Sequence, residues 1–274
     1  MNRAPHPSGT GQAFPQDPGT LPVALIPAYK PSPGLPDFVA ALLASGAFAA
    51  VVVVDDGSGT DYAAIFDALP DDDRVTVLRH VRNMGKGAAL KTGLNHCALG
   101  WPRAPGVVTA DADGQHAVQD VVAVGKALAA APGALVLGAR VFQADTPLRS
   151  RLGNTLTRRL LRLVAGIDLA DTQTGLRGIP LGLIPQLVLL APRGYDFELE
   201  MLLLAKRLGT PLAEVPIRSI YIENNRSSHF NPVLDSMRIY FVLFRFAVSS
   251  LLAALVDNLA FAVCFSLWPN IAGS

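Results

Sequence analysis

Hydrophobic and polar positions along this chain are grouped in blocks rather than scattered. Short, solidly apolar runs appear at 21–29 (LPVALIPAY), 49–58 (AAVVVVDDGS), 75–80 (VTVLRH), 106–111 (GVVTAD) and 134–140 (ALVLGAR). Between them lie stretches whose apolar residues recur at helical spacing: LPDFVAALLASG, YAAIFDALP, KGAALKTGLNHCAL and VQDVVAVGKALAA. Apolar runs without a polar face suit strands covered on both sides. The pattern therefore predicts an α/β fold, a mostly parallel, Rossmann-like sheet with helices on both faces. Beyond Arg140 the alternation loosens into a polar stretch, a helix near 149–166 and the block DTQTGLRG at 171–178.

The two ends break the pattern in different ways. Residues 1–20 are rich in Pro, Gly, Gln and Thr and lack the apolar core of a secretion signal, so they are expected to be a disordered leader. At the other end, residues 246–268 run for 23 positions with Asp257 as the one charge. As a helix this segment would span about 34 Å, against a hydrocarbon core of about 30 Å. A buried amphipathic helix of a soluble bundle is the alternative, but no later segment of the sequence given could cover it. A transmembrane helix is therefore expected at 246–268, preceded by an interfacial helix at 232–245 and followed by a tail at 269–274. Arg238 and Arg245 precede the span and no Lys or Arg follows, which places the N-terminal side of the span in the cytoplasm. Asp257 near mid-span is costly in lipid, so a partner helix or a homo-oligomer is expected to face it.

Composition narrows the chemistry. A formal net charge of +1 does not provide the concentrated basic surface that phosphate-backbone binding needs, so nucleic acid is set aside as a partner. Cys97 and Cys264 are far apart and form neither a disulfide framework nor a zinc cluster.

In open α/β sheets, ligands bind outside the carboxyl ends of the strands. Pro27, Ala28 and Tyr29 fall at one such end, Asp55 and Asp56 at a second, and Asp111 and Asp113 at a third. Residues i and i+2 at a strand end project to the same side, so Asp111 and Asp113 can converge, and alone they would raise one another's pKa. A hard cation, Mg²⁺ or Mn²⁺, relieves that conflict, with the amide oxygen of Gln115 at the next alternate position. Taken by itself the D-x-D pair fits a solvated turn equally well. Asp55 and Asp56 could accept hydrogen bonds from a base or a ribose, and Ser58, Thr60 or Asp61 could cap the following helix. RNMGKGAALKTG at 82–93 lacks Walker spacing, because Gly87 follows Lys86, so it is not a nucleotide triphosphatase loop. Its helix N-terminus, with Asn83 as cap, can lie near a nucleotide or merely pack as a tight loop.

In order and spacing, LIPAYK, VVVVDDGSGTD, RNMGKGAALKTG, DADGQH, GAR and DTQTGLRG resemble the inverting glycosyltransferases of family 2. The likeness is to the polyprenyl-phosphate glycosyltransferases, the dolichol-phosphate mannose synthases and bacterial polyprenyl-phosphate glucosyltransferases, and it covers residues 21–231. It implies a GT-A fold, a nucleotide-diphosphate sugar donor, a divalent metal and a polyprenyl-phosphate acceptor. Position by position, it implies a donor pocket lined by Pro27, Ala28, Tyr29, Asp55, Asp56 and Lys86. Asp111 would contact the nucleotide or the metal, and Asp113 and Gln115 would hold the metal against the diphosphate. Arg140 would meet the acceptor phosphate, helped by Arg149 or Arg151. Asp171, Thr174 and Arg177 would border the reacting sugar, and Arg226 and His229 of ENNRSSHF would close over the diphosphate. The chain departs from the family at Lys30, where Asn or Asp is frequent, and in NNRSSHF, which replaces an Arg-x-x-Gly-x-Ser-Lys form. The segment SSLLAALVDNLAFAVCF is also similar to the first helix of a small flippase-like module fused to some of these enzymes.

The resemblance implies inverting transfer of one sugar, with UDP-glucose favoured over GDP-mannose because DTQTGLRG and the apolar helix look more like the bacterial glucosyl enzymes. A polyprenyl phosphate is already an anion, so the enzyme's task would be electrostatic rather than general-base catalysis. His116 is then a neighbour of the metal site or a satisfied loop histidine. Two other classes are weighed: a membrane-tethered nucleotidyltransferase, for which IPAYKPSPG is a poor phosphate loop, and a non-catalytic sugar-nucleotide binding protein.

Overall fold

The computed structural model describes residues 20–140, 161–163, 165–172, 174–192, 194, 196–218 and 234–271. The expected leader, most of the helix near 149–166, and Arg149, Arg151, Arg226 and His229 lie outside the described residues.

The blocks of the sequence become alternating elements. They run β1 (Val23–Ala28), α1 (Leu35–Ala44), β2 (Val51–Asp55), α2 (Ala63–Asp67), β3 (Val75–Arg79), α3 (Lys86–Gly100), β4 (Gly106–Thr109), α4 (Val118–Ala130) and β5 (Leu135–Arg140). After them come β6 (Arg177–Pro180), α5 (Ile184–Leu187), α6 (Asp196–Arg207), β7 (Leu212–Ile217) and α7 (Leu234–Ile271). The sheet order is β3-β2-β1-β4-β6-β5-β7. β1 pairs in parallel with β2 and β4, β2 with β3, and β5 with β7, whereas β6 runs antiparallel between β4 and β5. The mostly parallel α/β sheet expected from the sequence is thus present, with one reversed strand that the apolar pattern did not mark.

Side-chain alternation along β1 divides the core into two layers. Val23 and Leu25 pack with α3, α5 and α6 on one face of the sheet. Ala24, Ile26 and Ala28 pack with α1 and α4 on the other. Burying both faces is what fixes the strand register, because a one-residue slip would exchange the two layers. Strand order turns outward in both directions from β1 and β4, so the crevice between their carboxyl ends is the place where loops diverge and a ligand can enter.

α7 is one continuous helix of 38 residues, where an interfacial helix and a separate span were expected to meet near residue 245. At 1.5 Å per residue it is about 57 Å long. Its described side chains are exposed, among them Leu251, Leu255, Leu259, Phe261 and Phe265. Among the described residues no helix is long and apolar enough to cross a membrane. The segment 246–268 includes side chains outside them.

Candidate active site

The rim is built from the ends of β1, β2 and β4 together with the first turn of α3. At the β1 end Pro27 and Tyr29 are half-buried and Ala28 is buried. Lys30 adopts a left-handed backbone with φ 49°, and its N–H donates to Ser58 Oγ at 2.9 Å. Ser58 N–H in turn donates to Asp55 Oδ1 at 2.9 Å, and Asp56 N–H to the Ala28 carbonyl at 2.8 Å. The first two loops are therefore tied together at the rim of the sheet.

Asp55 and Asp56 are adjacent, and adjacent strand-end residues point to opposite sides. Asp56 turns away from the rim into the neighbouring loop. Its Oδ1 accepts from Met84 N–H at 2.9 Å and lies 2.6 Å from His80 Nδ1, while its Oδ2 accepts from Gly85 N–H at 2.8 Å. His80 Nε2 reaches Thr92 Oγ1 at 2.9 Å, which carries the chain of contacts onto α3. The donor contact expected of Asp56 is thus replaced by a structural one, since both its oxygens hold the backbone that leads into Lys86. Gly57 completes this junction: at φ 71° its α-carbon sits so close to the loop that a Cβ would stand 2.5 Å from Asn83 N.

Lys86 opens α3 and reaches over the sheet end. Its Nζ lies 2.6 Å from Asp111 Oδ1 and 3.1 Å from Glu198 Oε1. His116 Nε2 stands 3.5 Å from Asp111 Oδ2. Burial by itself pushes the Asp111 carboxyl up, but the Lys86 ammonium and His116 outweigh it and hold the group well below the usual carboxylate range. Asp113 shows the opposite sign: burial and then the Asp111 charge raise it, while a hydrogen bond from Gln115 N–H at 3.0 Å only partly offsets them.

The like-charge conflict expected at this strand end falls on Asp113 alone, because Lys86 and His116 already relieve it at Asp111. Among the described residues no three His, Cys, Asp or Glu side chains form a metal cluster. A Mg²⁺-type cation does not need one, because it is commonly held by one or two carboxylates plus substrate phosphate oxygens and waters. Asp111 and Asp113 therefore fit such an ion, with Gln115 beside them.

The block DTQTGLRG forms the opposite wall. Thr109 Oγ donates to the Gly175 carbonyl at 2.8 Å and so pins the block to the end of β4. Gly175 is there for proximity: a Cβ would stand 2.3 Å from Asp111 Oδ2. Thr174 is buried, accepting from Leu176 N–H through its hydroxyl.

Asp171 and Arg177 were expected beside the reacting sugar, and neither presents its charge there. Asp171 is fully buried and takes the Arg140 guanidinium at the end of β5, with Nε to Oδ2 at 2.5 Å and Nη2 to Oδ1 at 3.1 Å. Arg177 is only 1% exposed, and its guanidinium donates to the Thr174, Glu198 and Thr172 carbonyls. Burial pulls the Arg177 pKa down, and the charges of Glu198, Asp171 and Asp111 pull it back. The reason for both departures is the reversal of β6: the pairing of Thr109 with Arg177 brings the block beside β4, where α6 covers it.

Sequence reasoning missed Glu198, His80 and Gly175. Glu198 is flanked in α6 by the buried Phe197 and Leu199. An acid between two buried apolar residues was the available signal.

A family model described as glycosyl transferase family 2 matches residues 23–180, from the start of β1 to the end of β6. The chain belongs to glycosyltransferase family 2. A protein of Methanocaldococcus jannaschii is 34% identical over 199 residues, covering 70% of this chain and 79% of its own length. The polyprenol monophosphomannose synthase of Mycolicibacterium smegmatis is 30% identical over 231 residues, covering 77% of this chain and 83% of its own. The UDP-N-acetylglucosamine–dolichyl-phosphate N-acetylglucosaminyltransferase of Methanococcus voltae is 29% identical over 212 residues, covering 70% and 83%. Among solved structures, glucosyl-3-phosphoglycerate synthase of Mycobacterium tuberculosis superposes with a TM-score of 0.62 at 20% identity, over 84% of this chain and 80% of that one. This last likeness establishes the shared fold, a GT-A-like sheet. The family 2 domain thus includes the crevice with Asp111, Asp113 and Lys86, and the protein is a glycosyltransferase.

Proposed function

We propose that this family 2 enzyme transfers a single sugar, with inversion, from a nucleoside-diphosphate sugar to a polyprenyl phosphate at the cytoplasmic face of the inner membrane. The observation that carries the reading is the convergence of Asp111, Asp113 and Lys86 at the crevice between β1 and β4. The acceptor class is supported by relatives named for transfer to polyprenol or dolichyl phosphate. UDP-glucose is favoured as donor ahead of GDP-mannose.

In this reading the nucleoside lies along Pro27, Ala28, Tyr29 and Asp55, and the loop held by Asp56 presents Lys86 to the diphosphate. A phosphate oxygen of the acceptor forms the new bond to the anomeric carbon as the bond from that carbon to the diphosphate oxygen breaks, so configuration inverts. No proton has to be removed from the acceptor. The remaining burden is negative charge on both sides of the sugar. Arg140, oriented by Asp171, would meet the acceptor phosphate; the family resemblance would give Arg149 or Arg151 a share of that task and Arg226 and His229 the covering of the diphosphate. A Mg²⁺ or Mn²⁺ held by Asp111, Asp113 and Gln115 would supply positive charge for the departing nucleoside diphosphate.

α7 has a place in this scheme. An isoprenoid acceptor stays in the bilayer, so an enzyme held there gains effective concentration. The exposed Leu251, Leu252, Leu255, Phe261 and Phe265 support lipid contact, with 246–268 as the spanning part and Asp257 turned toward a second helix.

The test is direct. Membranes containing the full chain are incubated with Mn²⁺, polyprenyl phosphate and a panel of labelled UDP- and GDP-sugars. One labelled lipid is expected, from UDP-glucose first. No labelled lipid with any donor would sink the assignment.

A further inference from the structure

The Lys86 ammonium occupies the position from which a cation would neutralise Asp111. It is shared between a strand-end carboxylate from β4, at 2.6 Å, and a helix carboxylate from α6, at 3.1 Å. These two partners differ in their alternatives. Asp111 has Asp113 two residues on, and the pair fits a divalent ion. Glu198 is fixed by its backbone, because its carbonyl receives Arg177 Nη1 at 2.5 Å, and its side chain is only 12% exposed. An ammonium and a divalent cation on the same carboxylate oxygen would repel across a part-buried space where screening is weak.

We propose that Lys86 is the resident counter-ion of the cation site, and that Glu198 is a positioning residue that retains the ammonium when a divalent cation takes Asp111. This rests on the proposed metal site. The exchange needs little motion. Asp56 holds the backbone of Met84 and Gly85, so the start of α3 stays in place. Lys86 already touches both carboxylates, and rotation about its flexible stem is enough to leave one for the other. With Glu198 present, the released charge stays at the crevice, within reach of a donor diphosphate. Without it, the ammonium remains on Asp111 and competes with the incoming ion.

The experiment measures Mn²⁺ binding alone, by loss of the free-ion paramagnetic resonance signal, to the full chain in detergent. Glu198→Gln and Lys86→Met preserve side-chain shape, and circular dichroism checks folding. Glu198→Gln is expected to weaken Mn²⁺ binding and Lys86→Met to strengthen it, each by about tenfold, the scale on which a single charge contact moves an equilibrium. Glu198→Gln added to Lys86→Met is expected to change nothing further, because Glu198 acts through the ammonium. If Glu198→Gln weakens binding equally in the Lys86→Met background, its carboxylate acts on the ion directly and the proposal falls. Weaker or unchanged binding by Lys86→Met overturns it as well. Asp113→Asn separates the two levels: if it binds Mn²⁺ as the wild type does, the metal site itself is wrong, and the exchange with it.

Discussion

Arg140 and Asp171 form a two-point ion pair across the end of the sheet, with the carboxylate fully buried and the guanidinium 23% exposed. That asymmetry makes the two halves unequal. Removing Arg140 leaves a buried negative charge, whereas removing Asp171 leaves a cation that can turn toward water. Arg140→Met is therefore expected to cost about 3 kcal/mol of stability and Asp171→Asn about half of that. Urea unfolding of the two variants gives the comparison, and equal losses would mean that burial is not what distinguishes them. In the assay, Asp171→Asn should raise KM for the lipid acceptor more than KM for the donor, because it loosens the group assigned to the acceptor phosphate.

The adjacent acids Asp55 and Asp56 should separate just as cleanly. Asp56 uses both oxygens, on Met84 N–H, Gly85 N–H and His80. An asparagine there offers one acceptor and turns a donor toward another donor, which costs about 1–3 kcal/mol. Asp56→Asn should lower the melting temperature, with a secondary loss of donor binding. Asp55→Asn keeps the acceptor that Ser58 N–H needs and should mainly weaken donor binding. Thermal melts paired with titration of UDP measure both effects, and a reversal of the order would restore Asp56 to the rim.

These contrasts show what the sequence could and could not reveal. β1, β2 and β4 were legible because each is an apolar run that stops at polar residues, and the position of those stops defined the rim. β6 was not, since Arg-Gly-Ile-Pro has no strand propensity of its own and is a strand only because β4 and β5 flank it. Arg140 closes an apolar run, whereas Arg177 stands in a polar, glycine-containing block with no strand pattern. One ends a parallel strand and the other begins a reversed one under α6, a difference set by tertiary pairing that no local pattern carries. Asp111 and Asp113 were legible as a pair, but Glu198, which shares the Lys86 ammonium with Asp111, comes from 85 positions or more along the chain, beyond any local spacing rule.

Gly175 tests how tightly Asp111 is walled. A Cβ at this position would stand 2.3 Å from Asp111 Oδ2, and the carboxylate cannot simply move aside while Lys86 holds its other oxygen. Gly175→Ala should displace Asp111, with a fall in kcat of about a hundredfold, the usual consequence of misplacing a reacting group by an ångström. Its effect on stability should be about 1–3 kcal/mol, as for other overpacked sites. Steady-state kinetics beside a denaturant melt check both, and full activity would show that the wall yields.

Asp111 and Asp113, two residues apart, should give the ligand-free protein opposite responses to pH. The Asp111 carboxyl is held low in the folded state, so the stability it contributes is present above its unfolded pKa of about 3.9 and is lost as pH falls. The Asp113 carboxyl is raised, so its contribution is fully present below about 3.9 and is lost as pH rises through the folded value. At neutral pH, then, Asp113→Asn should melt at a higher temperature than the wild type and Asp111→Asn at a lower one. The Asp113→Asn difference should shrink as the pH falls toward 4, whereas the Asp111→Asn difference should persist to about pH 4 and shrink only below it. Adding Mn²⁺ should favour the wild type over Asp113→Asn, because the ion relieves the conflict that the neutral amide removes by substitution. Melting curves across about pH 2–8, and with and without Mn²⁺ at neutral pH, read all of this directly. A destabilised Asp113→Asn in the absence of metal would show that this carboxylate is not under strain.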